Sequence, residues 1–136
     1  DPHAIVFAED SVLLSKMVEQ SLTKAGYTNI HKFNNGQEAW DYLCSIRDDS
    51  DLKDKASLII TDIEMPEMDG HRLTKLVKTD EKLKHIPLII FSSLINHEME
   101  VKGKQLGADE QLSKPEIGHL VSVIDHLLEK GEEIHG

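Results

Sequence analysis

The chain has 136 residues, about the length of one domain, and its 15 basic and 25 acidic residues leave a net charge of −10. That balance argues against nucleic-acid backbones and anionic lipid surfaces as partners, because both are bound by clustered Lys and Arg. No apolar run approaches the roughly 18 residues of a membrane span, none resembles a signal peptide, and a single cysteine, Cys44, excludes an internal disulfide.

In chain order, "AIVFA" (4–8) is short, β-branched and aromatic, and reads as a strand. Val12, Leu13, Met17, Val18 and Leu22 then recur at helical spacing up to Gly26. "NIHKF" (29–33) reads as a weaker strand, Asn35-Gly36 as a turn, and Ala39, Trp40, Leu43 and Ile46 as a helix on which Cys44 is expected to be a small buried group. "DDSDLKD" (48–54) reads as a charged, solvated loop. "SLIIT" (57–61) is a strand and "GHRLTKLVK" (70–78) opens a helix. "PLIIF" (87–91) is a strand led by proline, which is tolerated at a strand's first residue. Asn96 to Leu106 is helical, "EQLS" (110–113) a short strand, and "GHLVSVIDHLLEK" (118–130) a closing amphipathic helix.

Five strands alternating with five helices predict right-handed crossovers and a parallel sheet covered on both faces, a three-layer α/β sandwich. The unbroken apolar runs agree, since strands buried on both faces lose their polar half. A cytoplasmic location is expected. Residues 1–136 are expected to form one domain, with its core at about 4–130. Because the first residue is Asp1 and not Met, that domain is expected to be a piece of a longer chain.

In such a sheet, ligands bind beyond the carboxyl ends of the strands. The residues there are Glu9 and Asp10, then Asp62, then Ser92 and Ser93, then Lys114-Pro115. Each has an ordinary reading. Glu9, Asp10 or Ser11 could cap the first helix, Asp62 could start a turn, the serines could be loop hydroxyls, and Lys114 could be a solvated charge. Their conjunction at one edge points elsewhere. Grouped carboxylates resist ionising together unless a cation joins them, and an all-oxygen site suits Mg²⁺ or Mn²⁺. A carboxylate beside such a cation can attack a phosphoryl group, with the hydroxyl and the ammonium serving the phosphoryl oxygens.

"AED" (8–10), "NNGQEAW" (34–40), "TDIEMPEMDG" (61–70), "PLIIFSS" (87–93), "GAD" (107–109) and "SKP" (113–115) resemble the receiver domains of two-component signalling, the family of the chemotaxis protein CheY. The resemblance spans nearly all of residues 4–130. It implies a flavodoxin-like sheet in the order 2-1-3-4-5. It also implies a signalling domain that catalyses its own phosphorylation and dephosphorylation and is not a conventional enzyme. By the same resemblance, Asp62 is the phosphoacceptor, fed by the phosphohistidine of a CheA-like histidine kinase. Glu9 and Asp10 are the acidic pair, Ser92 the switching hydroxyl, and Lys114 the lysine before a cis proline. Mg²⁺ would sit with Asp10, Asp62 and the backbone carbonyl of Glu64, beside Glu9.

The chain departs from that pattern at three positions. Glu9 stands where Asp is usual, Glu64 puts a charge at the rim, and Gln111 replaces an aromatic residue, so that Gln111 is expected to stay near the surface. "TDIEMPEMDGHRLTKLVK", "FSSLINHEM" and "GADEQLSKPEIGHLV" further resemble the receivers of the CheV family of coupling proteins, where a CheW-like domain precedes the receiver. That likeness implies chemoreceptor arrays as partners, with no nucleic acid and no membrane insertion. Two rivals use similar parts. A haloacid-dehalogenase-type phosphatase would want Asp at position 64, and a pseudo-receiver would lack part of the acidic pair, Asp62, Ser92 and Lys114.

Overall fold

The computed structural model describes residues 2–93, 95–114 and 116–135. The apolar runs form β1 (Ile5–Ala8), β3 (Leu58–Thr61) and β4 (Leu88–Ser92), every residue of which is buried. The weaker segments form the sheet edges, β2 (Ile30–Phe33) and β5 (Glu110–Ser113). All pairings are parallel, in the order β2-β1-β3-β4-β5.

The helices are α1 (Val12–Lys24), α2 (Gly36–Ile46), α3 (Leu52–Lys55), α4 (Gly70–Thr79), α5 (His97–Leu106) and α6 (Ile117–His135). Side chains alternate across the pleat, so successive strand residues feed opposite cores. Val6, Ala8, Ile59 and Ile90 pack with Leu43, Leu73 and Val77 on the α2/α4 side. Ile5, Phe7, Ile60 and Phe91 pack with Leu22, Leu120 and Ile124 on the α1/α6 side. These two buried layers make the three-layer sandwich.

Four helices begin with a side chain that accepts an otherwise unpaired amide. Ser11 Oγ takes Leu14 N–H at 3.3 Å, Asn35 Oδ1 takes Glu38 N–H at 2.8 Å, Asp69 Oδ1 takes Arg72 N–H at 2.8 Å, and Asn96 Oδ1 takes Met99 N–H at 2.9 Å. Two expectations change here. Asn35-Gly36 is the cap and first residue of α2 and not a free turn, and the cap of α1 is Ser11 and not Glu9 or Asp10.

The helix count rises from five to six among the described residues, because the stretch expected to be a solvated loop contains α3. Two of its acids share one ammonium. Lys55 Nζ donates to Asp49 Oδ2 at 2.6 Å and lies 3.4 Å from Asp51 Oδ1, while Tyr42 Oη donates to the Lys55 carbonyl at 2.9 Å. The last helix also continues to His135, past the expected end at Lys130. Cys44 is half-buried instead of fully buried.

His71, in the first turn of α4, is only 6% exposed, and its Nε2 has no hydrogen-bond partner among the described residues. Burial pushes its pKa below the usual 6.5, the Lys102 ammonium on α5 adds to that, and Asp69 opposes it. A histidine pKa lowered on folding means the unfolded chain binds more protons below about pH 6.5, so stability falls as pH drops through that window. We expect His71→Leu to flatten the fall in urea midpoint between about pH 6.5 and 5 relative to the parent. Parallel pH profiles for the two proteins would show that His71 does not contribute.

Candidate functional site

The parallel ladder runs one rung past the carboxyl ends of the strands. Glu9 N–H donates to Phe33 O at 3.0 Å, Asp62 N–H to Ala8 O at 3.0 Å, and Lys114 N–H to Ser92 O at 3.1 Å. Three of the expected site residues are thus held by sheet-type backbone bonds and not by flexible loops. Ser92 is the last residue of β4 and is 1% exposed. Register therefore brings these four residues to one edge.

Their side chains follow. Carboxylate oxygens of Glu9, Asp10 and Asp62 all lie within 4.8 Å of one another, with Glu9 and Asp62 buried and Asp10 exposed. Lys114 Nζ donates to Asp62 Oδ2 at 2.9 Å and sits 3.0 Å from Glu9 Oε1, outside hydrogen-bond geometry for the latter. The other oxygens take backbone amides: Ile63 N–H donates to Asp62 Oδ1 at 2.7 Å and Ser11 N–H to Glu9 Oε2 at 3.0 Å. Side-chain identity gives no sign of these two amide donors, and sequence reasoning missed both.

Burial pushes the Glu9 carboxyl above its ordinary value and the Asp62 charge pushes the same way, while the Ser11 amide and the Lys114 ammonium oppose them. Burial alone would lower Lys114, but Asp62 and Glu9 outweigh it and raise its pKa. One ammonium thus faces three carboxylates, an excess of negative charge in an all-oxygen setting. Such a donor set fits a divalent oxygen-seeking cation. Glu64 has an exposed side chain, and Pro115, on which the expected cis bond falls, lies outside the described residues.

The loop that follows Asp62 is held from both ends. Gly70 N–H donates to Ile63 O at 2.8 Å, and Gly36 N–H donates to Met68 O at 3.1 Å. A Cβ at Gly70 would lie 1.8 Å from the Asp62 carbonyl oxygen, so no other residue fits there without moving the aspartate. Glu67 adopts a left-handed φ of 67° to complete the turn.

Gln111 differs from expectation. The residue is half-buried, with its amide turned in between β5 and α5: Nε2 donates to Glu100 O at 2.8 Å, while Oε1 is buried without a partner among the described residues. The space comes from Gly103, where an added Cβ would be 2.3 Å from Oε1.

A search of known families and structures fits this geometry. The family model described as "Response regulator receiver domain" matches residues 5–125. The polar-differentiation response regulator DivK of Brucella anthropi is 32% identical over 114 residues, covering 84% of this chain and 85% of its own. The chemotaxis protein CheY1 of Helicobacter pylori is 27% identical over 111 residues, covering 82% and 84% respectively. Among solved structures, the signal receiver domain of a signal transduction histidine kinase from Syntrophus aciditrophicus superposes with a TM-score of 0.81 at 30% identity, covering 94% of this chain and 91% of that one. With the family match running from the first residue of β1 into α6, the chain belongs to the response regulator receiver domains, the phosphoacceptor modules of two-component signalling.

Proposed function

We propose that Asp62 is the phosphoacceptor of this receiver, and that Glu9, Asp10, Ser92 and Lys114 serve its reaction. The observation that carries this is the convergence of three carboxylates and one ammonium at the ladder's extra rung. An Asp62 carboxylate oxygen forms the new O–P bond as the P–N bond to the donor imidazole breaks, and the departing electron pair stays on that imidazole. Lys114 begins on Asp62 Oδ2 and transfers its ammonium to a phosphoryl oxygen as charge builds there. Ser92, buried at the end of β4, supplies a hydroxyl toward the same group.

Asp10 and Asp62, with Glu9 beside them and the backbone carbonyl of Glu64, would hold the Mg²⁺ (or Mn²⁺). When bound, the cation neutralises the carboxylates and the phosphoryl oxygens. The same residues support self-catalysed loss of the phosphoryl group to water.

The donor would be a histidine kinase, CheA-like if the chain serves chemotaxis. A surface for it lies beside the site: Val12, Leu13 and Met17 on α1 are 68%, 72% and 45% exposed, directly after the acidic pair. The sequence resemblance to CheV receivers supports a place in chemoreceptor arrays beside a CheW-like domain, in the cytoplasm.

Incubated with acetyl phosphate and Mg²⁺, the protein should gain the mass of one phosphoryl group, and Asp62→Asn should not. Equal labelling of that variant would move the acceptor elsewhere. Leu13→Asp should keep acetyl phosphate labelling while slowing transfer from phosphorylated kinase about tenfold, the effect expected when an apolar anchor is lost from an interface. Unchanged transfer would free α1 of that role. Mg²⁺ at ten to a hundred times its Kd should raise the melting temperature by about 4–9 °C, and Asp10→Asn should remove most of the rise. A melting point indifferent to Mg²⁺ would count against the metal site.

A further inference from the structure

At the opposite end of the sheet lies a cleft of about 760 Å³ that the phosphoacceptor chemistry does not use. It opens where β1, β3 and β4 begin, next to His3, Ser57 and Pro87. Ligands of doubly wound sheets bind at the carboxyl ends, so the fold itself does not account for it. Its volume falls within the roughly 300–1,000 Å³ of small-molecule pockets.

The walls are fixed. Ser57 Oγ accepts the Ala4 amide at 3.0 Å and donates to the Lys53 carbonyl at 2.6 Å, tying α3 to the start of β1. Across the opening, Asp80 Oδ1 accepts the amides of Lys82 at 2.9 Å and Leu83 at 3.1 Å, while Lys78 Nζ donates to Ile86 O at 2.7 Å. A site whose walls are already hydrogen-bonded loses little entropy when filled.

The lining is apolar below and basic above. Ala56, Ile86 and Leu128 are buried in its floor, and Leu52 and Leu127 are half-buried. Lys53, Lys82 and His85 stand exposed at the rim, opposed by Asp54 among the lining residues. Lys82 is 3.3 Å from Asp48, whereas the side chains of Lys53 and His85 make no hydrogen bond or ion pair among the described residues. With Lys82 paired to Asp48, the rim offers the Lys53 ammonium and the His85 imidazole as uncommitted donors over an apolar floor. We propose that the cleft between α3, the 80–87 turn and α6 is a second binding site, for a small amphipathic monoanion: an apolar, ring-sized body with one carboxylate. The apolar body would lie over Ala56, Ile86 and Leu128, with the carboxylate toward Lys53 and His85. A phosphate dianion is a poorer fit, since the rim offers one uncommitted ammonium and no guanidinium fork.

Proton–nitrogen correlation spectra of the whole chain, titrated with 2-naphthoate, test this. Saturable shifts are expected in residues 52–57 and 82–87, with the amides around Asp62 unmoved. The neutral 2-naphthalenemethanol and the variant Lys53→Glu should each bind about tenfold more weakly, the scale of one lost charge contact near a surface. A melting curve on Lys53→Glu checks that the variant is folded. Absence of saturation at millimolar 2-naphthoate would overturn the site, and equal binding of 2-naphthylmethylammonium would overturn the anion class. Concentration-dependent shifts of the same amides without any added ligand would assign the cleft to a second copy of the chain and overturn the proposal as well.

Discussion

The site depends on a rung of backbone hydrogen bonds that outlasts the strands. Parallel ladders normally stop where side chains turn toward solvent, but here Phe33, Ala8 and Ser92 each offer a carbonyl to the next residue on a neighbouring strand. That extra rung fixes the Cα positions of Glu9, Asp62 and Lys114 before any side chain chooses a rotamer. Charged groups placed this way need not be held by their mutual attraction, which would be weak and screened if they stood on loops. The packed layers on both faces support the rung in turn, because β1, β3 and β4 have no exposed residue through which to shift register.

Once the backbone is fixed, the charge imbalance follows. Glu9 and Asp62 are almost fully buried and share one ammonium. Removing Lys114 would leave two buried carboxylates without compensation, which costs more than the ion pairs contribute, whereas removing either carboxylate leaves the ammonium paired with the other. The excess of carboxylate over ammonium is therefore a stored cost, one that a bound cation would relieve. In the proposed reaction the same excess would let Lys114 change partners, since leaving Asp62 for a phosphoryl oxygen exchanges one anion for another and does not strand the ammonium in an apolar setting.

The architecture was legible because its signals are local. Apolar runs of four or five residues became the buried strands, and Ser11, Asn35, Asp69 and Asn96 cap helices through bonds to residues three positions on. The site residues were legible because each directly follows or ends a strand. What was missed depends on distant partners. The charged stretch around residue 52 forms a helix partly because Tyr42 caps it from α2, and no local pattern reports that. The amides of Ser11 and Ile63 that hold the acidic oxygens are chemically identical to every other amide. The cleft at the amino ends needs α3, the 80–87 turn and α6 to meet, which is a property of the packed chain alone.

Gln111 shows how a single substitution changes the balance of a seam. An aromatic ring buried between β5 and α5 would gain apolar contact and leave at most one polar atom to satisfy. The glutamine amide brings a donor and an acceptor into the same space. The donor is satisfied by Glu100 O, but the acceptor is shut against Gly103 and finds no donor among the described residues. Turning the amide over would place its oxygen against the Glu100 carbonyl, so the unpaired oxygen is the lesser cost. An unsatisfied buried acceptor costs about 1–3 kcal/mol, a sizeable share of the stability of a single domain. The inward position of Gln111 is therefore held by one hydrogen bond and by the absence of a side chain at Gly103, against a standing penalty. Movement of α5 away from β5 would hydrate that oxygen and recover the penalty, so in this chain the seam beside Ser92 opens at a lower cost than an apolar seam would.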